Sequence, residues 1–415
     1  MTWLGCIADD FTGATDLAAL VARSGAPVSL RIGLPEPGAE PPGQIEVVAL
    51  KIRSIPAAEA VAQALAALDW LTAAGAARIY WKYCSTFDST AAGNIGPVAD
   101  ALAARLGAGP VLHVPSFPEN GRRVFMGNLF VGRQPLAESP MKDHPLNPMT
   151  DSDLTRLLAL QVRGRVGLID WPAVAAGDAA VRAAIAGDMA HLIADAICDG
   201  DLDVLAGPGA EAALCAGGSA FARDLARQWL DQGRLTRAGR ADAPVMPVGP
   251  ALLLSGSCSD MTRRQVAAYV ATGAPALRLD PVMLDARGSD AALDWLEAQR
   301  PDGPAPLIYA TAEPDEVRAA QSRLGAGRAG QVVEDALARI ARAARAGGVT
   351  RFVVAGGESS GAVASALGVG RLRIGAEIAP GVPWCLARDG QGPLALALKS
   401  GNFGGPDFFA RALAG

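Results

Sequence analysis

A β-branched apolar run that enters a glycine-rich turn and leaves it as a helix can fold in few ways. This chain repeats that unit. The fullest copy is Arg351-Phe-Val-Val-Ala355, then Gly356-Gly-Glu-Ser-Ser-Gly361, then the alanine-rich stretch from Ala362 to Leu367. A second, Ala251 to Leu254, runs into Ser255-Gly-Ser257-Cys-Ser259 and a helix from Met261 to about Thr272. A third strand, Leu394 to Leu398, enters Lys399-Ser-Gly-Asn-Phe-Gly-Gly405. Glycine lets backbone N–H groups approach a ligand, and a helix N-terminus carries roughly half a positive charge, so such turns favour anions. None fits G-x-x-x-x-G-K-[ST] or a correctly placed G-x-G-x-x-G, which excludes an ordinary P-loop or Rossmann site. Several turns with hydroxyls and a lysine make a cradle for a polyphosphate.

The rest of the chain sets the context. Strands that alternate with helices predict an α/β fold, and 415 residues exceed one typical core. Residues 232–249 have linker composition, so we expect an N-terminal domain over 1–235, a linker over 236–249 and a C-terminal domain over 250–415. Each is expected to be a mostly parallel sheet flanked by helices, with the active site in the cleft between them. A net charge of −5 offers no electrostatic footprint for nucleic acid or an anionic membrane. No apolar run approaches the ~18 residues of a membrane span. The six cysteines are scattered without C-x-x-C spacing, which points to reduced thiols in a cytoplasm. The three histidines have no i,i+4 pairing, which argues against zinc and against a Ser-His-Asp hydrolase. The oligomeric state stays open between a monomer and a homo-oligomer.

The N-terminal half supplies acids and bases where strands end. Trp3 to Ala8 reads as a strand that runs into Asp9-Asp10-Phe-Thr12-Gly13-Ala-Thr-Asp16, with Thr12 available to cap the next helix. Three carboxylates in eight residues exceed what capping requires. They suit a base for a hydroxyl, a magnesium contact or sugar-hydroxyl recognition. Ile45 to Leu50 ends in Lys51-Ile-Arg53, and Ala77 to Tyr83 ends in Lys82-Tyr-Cys-Ser85-Thr86. Arg53, Lys82, Ser85 and Thr86 are together a set for a small carboxylate with hydroxyls. His113 reads as a satisfied strand histidine and His191 as a structural residue on a helix. Residues 115–150 are polar and proline-rich, a loop or β-ribbon expected to frame the substrate, with His144 and Asn147 as contact candidates. A nucleotide on one domain and a small polyol acid on the other is the layout of a phosphotransferase. A sugar-acid sensor, or an aldolase or isomerase without nucleotide, is the reading from another class.

The chain also resembles the four-carbon acid sugar kinases nearly end to end, and most of all their 3-oxo-tetronate branch. The resemblance is carried by Asp9-Asp10-Phe-Thr-Gly-Ala14, Pro115-Ser-Phe-Pro-Glu-Asn-Gly-Arg122, His144-Pro-Leu-Asn-Pro148, Gly256-Ser257, Gly356-Gly-Glu-Ser-Ser-Gly361 and Lys399-Ser-Gly-Asn-Phe-Gly404. It implies transfer from ATP, with Mg2+, to the 4-hydroxyl of a 3-oxo-tetronate; D-threonate and D-erythronate are the alternative acids. It implies ATP contacts at Ser257, at Gly356, Gly357, Glu358 and Ser359, and at Gly401. Asp9, Asp10, Arg53 and the Lys82 segment are the implied substrate contacts. Asp10 or Asp9 is the expected base, and Lys399 the expected counter to developing charge; metal ligands are not assigned. Arg123, Met126 and Asn128 depart from the family's loop, which bears on the choice of acid.

Overall fold

The computed structural model describes residues 1–35, 42–143, 147–239, 245–300 and 303–414. The chain forms two compact units, Met1–Arg240 and Ala241–Gly415. Thr236 and Arg237, inside the expected linker, hydrogen-bond to Gln44 and Ser24 and so belong to the first unit.

In chain order the first unit contributes β1 (Leu4–Ala8), β2 (Val28–Ile32), β3 (Ile45–Ala49), β4 (Arg78–Lys82) and β5 (Val111–Val114). Then come β6 (Arg122–Phe125), β7 (Asn128–Val131), β8 (Gln134–Pro135), β9 (Val166–Ile169), β10 (His191–Ala194) and β11 (Leu214–Gly217). Strands β2-β3-β1-β4-β11-β5-β10-β9 form one sheet in that order, and every pairing in it is parallel. A parallel sheet covered on both faces needs apolar side chains on both sides of its strands. β1 (Leu-Gly-Cys-Ile-Ala) and β3 (Ile-Glu-Val-Val-Ala) are accordingly buried throughout. The chain leaves β1 toward β3 and β2 on one side and reaches β4 on the other. The crevice where strand order reverses therefore opens over the C-terminal ends of β1 and β4, the place where α/β sheets bind ligands.

The expected ribbon over 115–150 is present as the antiparallel sheet β6-β7-β8. Its β6–β7 turn is held by Asp195, just past β10, whose carboxylate accepts from the amides of Met126 (2.6 Å), Gly127 (2.9 Å) and Trp171 (2.8 Å). One expectation is corrected. His191 starts strand β10 and does not lie on a helix, and a further strand, β11, follows it between helices. Both strands are four residues long and made of small or apolar residues between helices, a pattern that periodicity does not separate from helix.

The second unit contributes β12 (Ala251–Ser255), β13 (Ala276–Arg278), β14 (Leu307–Tyr309) and β15 (Arg351–Ala355), then β16 (Arg371–Ala379), β17 (Val382–Asp389) and β18 (Gly392–Lys399). Their order is β13-β14-β12-β15-β18-β17-β16. The first five are mutually parallel, while β17 runs antiparallel to its neighbours β18 and β16. The reversal of order here falls at β12 and β15, so the crevice lies above Gly256 and Gly356. Among the described residues, no helix is long and apolar enough to cross a membrane.

Candidate functional site

Three strand ends of the first unit bring their charged residues together. Arg53 donates from Nε to Asp9 (2.7 Å) and from Nη2 to the other Asp9 oxygen (2.9 Å). The same Nη2 lies 2.9 Å from Asp10 Oδ1. Asp10, not Thr12, caps the Phe11–Arg23 helix. It accepts from the Gly13 amide (2.7 Å) and the Thr12 hydroxyl (3.0 Å), so the expected cap is shifted by two residues. The Lys82 ammonium is buried and donates to the Tyr83 carbonyl (2.8 Å). Asn94, missed from the sequence, pins the Arg53 loop by donating to the Ile52 (2.6 Å) and Ile55 (2.9 Å) carbonyls.

The electrostatics divide these acids. Burial pushes Asp10 up, but Arg53, Lys82, the Gly13 amide and the Thr12 hydroxyl together hold it below its ordinary range. Burial also acts on Asp9 and there outweighs Arg53, so its pKa is raised. Burial opposes the Arg53 charge, and the two carboxylates more than offset that. Asp16, two turns into the same helix, accepts from Ser219 Oγ (2.6 Å) and is pushed up to about 6 by burial. Asp10 thus organises the helix start and Arg53 through Oδ1, while its Oδ2 accepts from Thr12 and keeps a lone pair for a further donor. Arg53 spends Nε and Nη2 on the two carboxylates, and among the described residues its Nη1 is the part of the fork left to face a ligand.

Ser85 and Thr86 follow β4 on a loop in which Thr86 Oγ1 meets Cys84 Sγ at 2.9 Å. The next residue, the fully buried Phe87, adopts φ +48°, a strained conformation for an aromatic residue of the kind that clusters at functional sites. Gly217 closes the same edge at φ +150°, where a Cβ would collide with the Val114 carbonyl. His113 is satisfied, as the sequence suggests. Its ring bridges Tyr83 Oη (3.1 Å) and His191 (3.1 Å), and His191 reaches Asp100 (2.9 Å). One tautomer set fills every link: Tyr83 donates to His113, His113 to His191, and His191 to Asp100. His144 lies outside the described residues, and the Asn147 amide donates to the Asp88 carbonyl (3.4 Å).

In the second unit the three glycine turns meet. A Cβ on Gly401 would lie 2.5 Å from Ser257 Oγ and 2.8 Å from Ser259 Oγ, and one on Gly256 would strike Ser359 Oγ. Gly356 sits at φ +120° with its Cβ position 3.1 Å from the Ser257 amide, so glycine is required there on both counts. Ser259 caps the Asp260–Val270 helix, and Gly356 precedes the Gly357–Ala366 helix, whose first-turn amides have no partner within the helix. Ser257, Gly356, Gly357, Ser359 and Gly401 thus converge, with Glu358 exposed at the rim.

Lys399 is placed differently from its expected role. Its ammonium is buried and donates to Thr262 Oγ1 (3.2 Å) and to the carbonyls of Ser400 (2.9 Å) and Gly401 (2.8 Å), so its three N–H groups are committed. Burial pushes its pKa down to about 7. Gln265 adds bonds to the Phe403 (3.0 Å) and Gly405 (2.9 Å) carbonyls of the same loop. Lys399 is a strut under the third turn. Replacing it by Met is expected to raise KM for ATP about tenfold by loosening Gly401, with KM for the acceptor unchanged; steady-state kinetics checks this.

Beside Gly256 and Glu358 a cavity of about 660 Å³ opens, walled by Leu279, Val282, Ala310 and Val333. It is large enough for a nucleoside and apolar enough for a base. A larger cavity, about 1240 Å³, lies at the opposite strand ends beside Ala251 and Arg351, away from the glycine turns.

Comparison with known proteins matches residues 4–225 to a sugar-binding N-terminal domain and residues 252–409 to a nucleotide-binding C-terminal domain. A 3-oxo-tetronate kinase of Cupriavidus necator is 53% identical, over 99% of this chain and 96% of the relative. The chain belongs to the 3-oxo-tetronate kinase family. The family's kinase of Burkholderia multivorans is 52% identical over the same shares. A crystal structure of a Salmonella typhimurium protein, 43% identical and covering 99% of both chains, superposes with a TM-score of 0.88. The glycine turns and the Asp9–Asp10 edge each fall inside the matched domain whose described ligand suits their chemistry.

Proposed function

We propose that this protein is an ATP-dependent kinase that phosphorylates the 4-hydroxyl of a 3-oxo-tetronate. The observation that carries the reading is the convergence of the turns at Gly256, Gly356 and Gly401 beside a nucleoside-sized cavity. Membership of the 3-oxo-tetronate kinase family supplies the acceptor. In this reading the amides of 356–359 and the hydroxyls of Ser257 and Ser259 bind the phosphates, and the adenosine fills the cavity. The C4 hydroxyl is the primary alcohol of the acid, the least hindered nucleophile. The Asp9–Arg53–Asp10 cluster fixes the edge on which the acid sits, and Lys82, Ser85 and Thr86 contribute to it.

The second unit's cradle offers hydroxyls and amides, and no three His, Cys, Asp or Glu side chains among the described residues group as a metal cage. That donor set fits Mg2+ brought by the nucleotide itself, which would offset phosphate charge. Purified protein with ATP and Mg2+ is expected to consume ATP with 3-oxo-tetronates and far less with D-threonate or D-erythronate. Silence on every acid would refute the kinase reading, and a preference for threonate or erythronate would replace the acceptor.

A further inference from the structure

A kinase of four-carbon acids must hold a carboxylate, and the arginine expected to do so is already engaged on one edge. Arg53 spends Nε and Nη2 on Asp9 and Asp10, which leaves Nη1 alone for a ligand. Another arginine near this edge is Arg122, the first residue of β6. Phe117 and Arg122 exchange backbone hydrogen bonds (2.8 and 2.9 Å), which closes the Pro118–Asn120 turn and holds Arg122 next to the end of β5. Its guanidinium donates to the Asn120 carbonyl, its Nε is buried without an acceptor, and among the described residues it has no carboxylate partner. A half-buried guanidinium in that state has paid for desolvation without gaining an ion pair.

The neighbours have unfilled hydrogen-bonding capacity of complementary kinds. Ser116, at the end of β5, is fully buried with its hydroxyl unpartnered. The Pro115 carbonyl lies 2.7 Å from where a Cβ on Gly218 would stand, so the β5 end abuts the turn that leads to Ser219. Ser219 holds one oxygen of Asp16, whose other oxygen is buried and unpartnered. Asp16 and Cys84 are the groups whose charge acts on Arg122. A donor at Arg122 within electrostatic reach of an acceptor at Asp16, with a further buried donor at Ser116 one residue before the Phe117–Arg122 pair, matches a carboxylate next to an alcohol, the pattern of a hydroxy acid.

We propose that Arg122 and Ser116 form the subsite for the carboxylate of the four-carbon acid, with Asp16 accepting from a hydroxyl of the same molecule. This rests on the kinase reading above and adds how the acid is told from a neutral sugar. A planar guanidinium fork suits a carboxylate, and discrimination by buried polar groups exceeds that by shape.

The test is steady-state kinetics on the wild type, Arg122→Gln, Arg122→Lys and Ser116→Ala. The acceptors are the 3-oxo-tetronate and the tetrulose that carries CH2OH in place of the carboxylate. Arg122→Gln is expected to raise KM for the acid roughly 10- to 100-fold, the loss of a charge-assisted pair. KM for ATP should not change, and the preference for acid over tetrulose should collapse. Arg122→Lys should recover part of the loss, and Ser116→Ala should raise KM for the acid about threefold to tenfold. An active wild type whose acid KM moves less than twofold in Arg122→Gln overturns the subsite and leaves the kinase intact. A wild type silent on every four-carbon acid overturns both. Should Arg122→Gln fail to fold, shown by loss of the wild type's cooperative melting transition, Ser116→Ala decides, and an unchanged acid KM there overturns the subsite.

Discussion

Arg53→Met is expected to cost the first unit about 3 kcal/mol and to abolish phosphoryl transfer. Arg53 is the counter-charge for two carboxylates, Asp9 on one edge of its fork and Asp10 on the same Nη2. Asp9 is 4% exposed, so once the arginine is gone water cannot replace it. Two adjacent buried carboxylates then repel each other, and removing one partner of a buried pair costs more than the pair contributes. The damage should reach beyond the local pair, because Asp10 caps the Phe11–Arg23 helix and its orientation depends on Arg53. Acid should relieve it. Asp9 already has a raised pKa from burial, and protonation removes the repulsion, so the gap in stability from the wild type should narrow as pH falls. Urea unfolding at pH 8 and pH 5 checks both parts. A variant as stable as the wild type at pH 8 would show that solvent, not Arg53, balances these acids.

The parts of this fold that the sequence makes legible are those where one residue type had no alternative. Gly356 at positive φ against the Ser257 amide, and Gly401 beside two serine hydroxyls, are positions that a side chain would fill, so the turns around them stand out in the bare sequence. Asp9 and Asp10 are legible for a related reason, since paired acids after a buried strand serve no packing need. Strands β10 and β11 were not legible: His-Leu-Ile-Ala and Leu-Cys-Ala-Gly are too short for a period to show. The antiparallel β16 and β17 are a different case. Arg371-Leu-Arg-Ile and Val382-Pro-Trp-Cys-Leu carry apolar signals that go unread beside the stronger glycine motifs.

Side-chain roles are harder still, because a charged residue's partner is set by tertiary distance. From the sequence, Arg53 is a substrate contact and Lys399 a counter to developing charge, both at strand ends; in the fold, one is bonded to two acids and the other braces a loop. Arg122 shows the converse. It lies in a segment with little periodicity, and its significance appears only in the fold, where its buried Nε has no acceptor. The Asp195 carboxylate that fixes the β6–β7 turn comes from over sixty residues away and has no local signature.

Asp16→Asn is expected to stabilise the protein at pH 8 while impairing turnover of the acid. In the folded chain Asp16 is pushed up to about 6 by burial, against an ordinary value of 3.8. Between those values the folded protein holds a proton that the unfolded chain has released. The contribution of this group is therefore fully present below about pH 4 and is lost as pH rises through about 6. Two pH units at about 1.4 kcal/mol each make the loss roughly 3 kcal/mol by pH 8, with the opposing pull of Lys82 and Ser219 already included. Asparagine keeps the acceptor for Ser219 and cannot ionise, so the variant should match the wild type near pH 4 and exceed it by roughly 3 kcal/mol at pH 8. Unfolding free energies at the two pH values, set beside acid turnover, decide the matter. A variant less stable at both would mean that the ionised carboxylate is already well compensated by Lys82, and that Asp16 is a structural ion pair. Greater stability with lost turnover is the pattern of a buried acid whose cost in the fold is offset by what it does for the substrate.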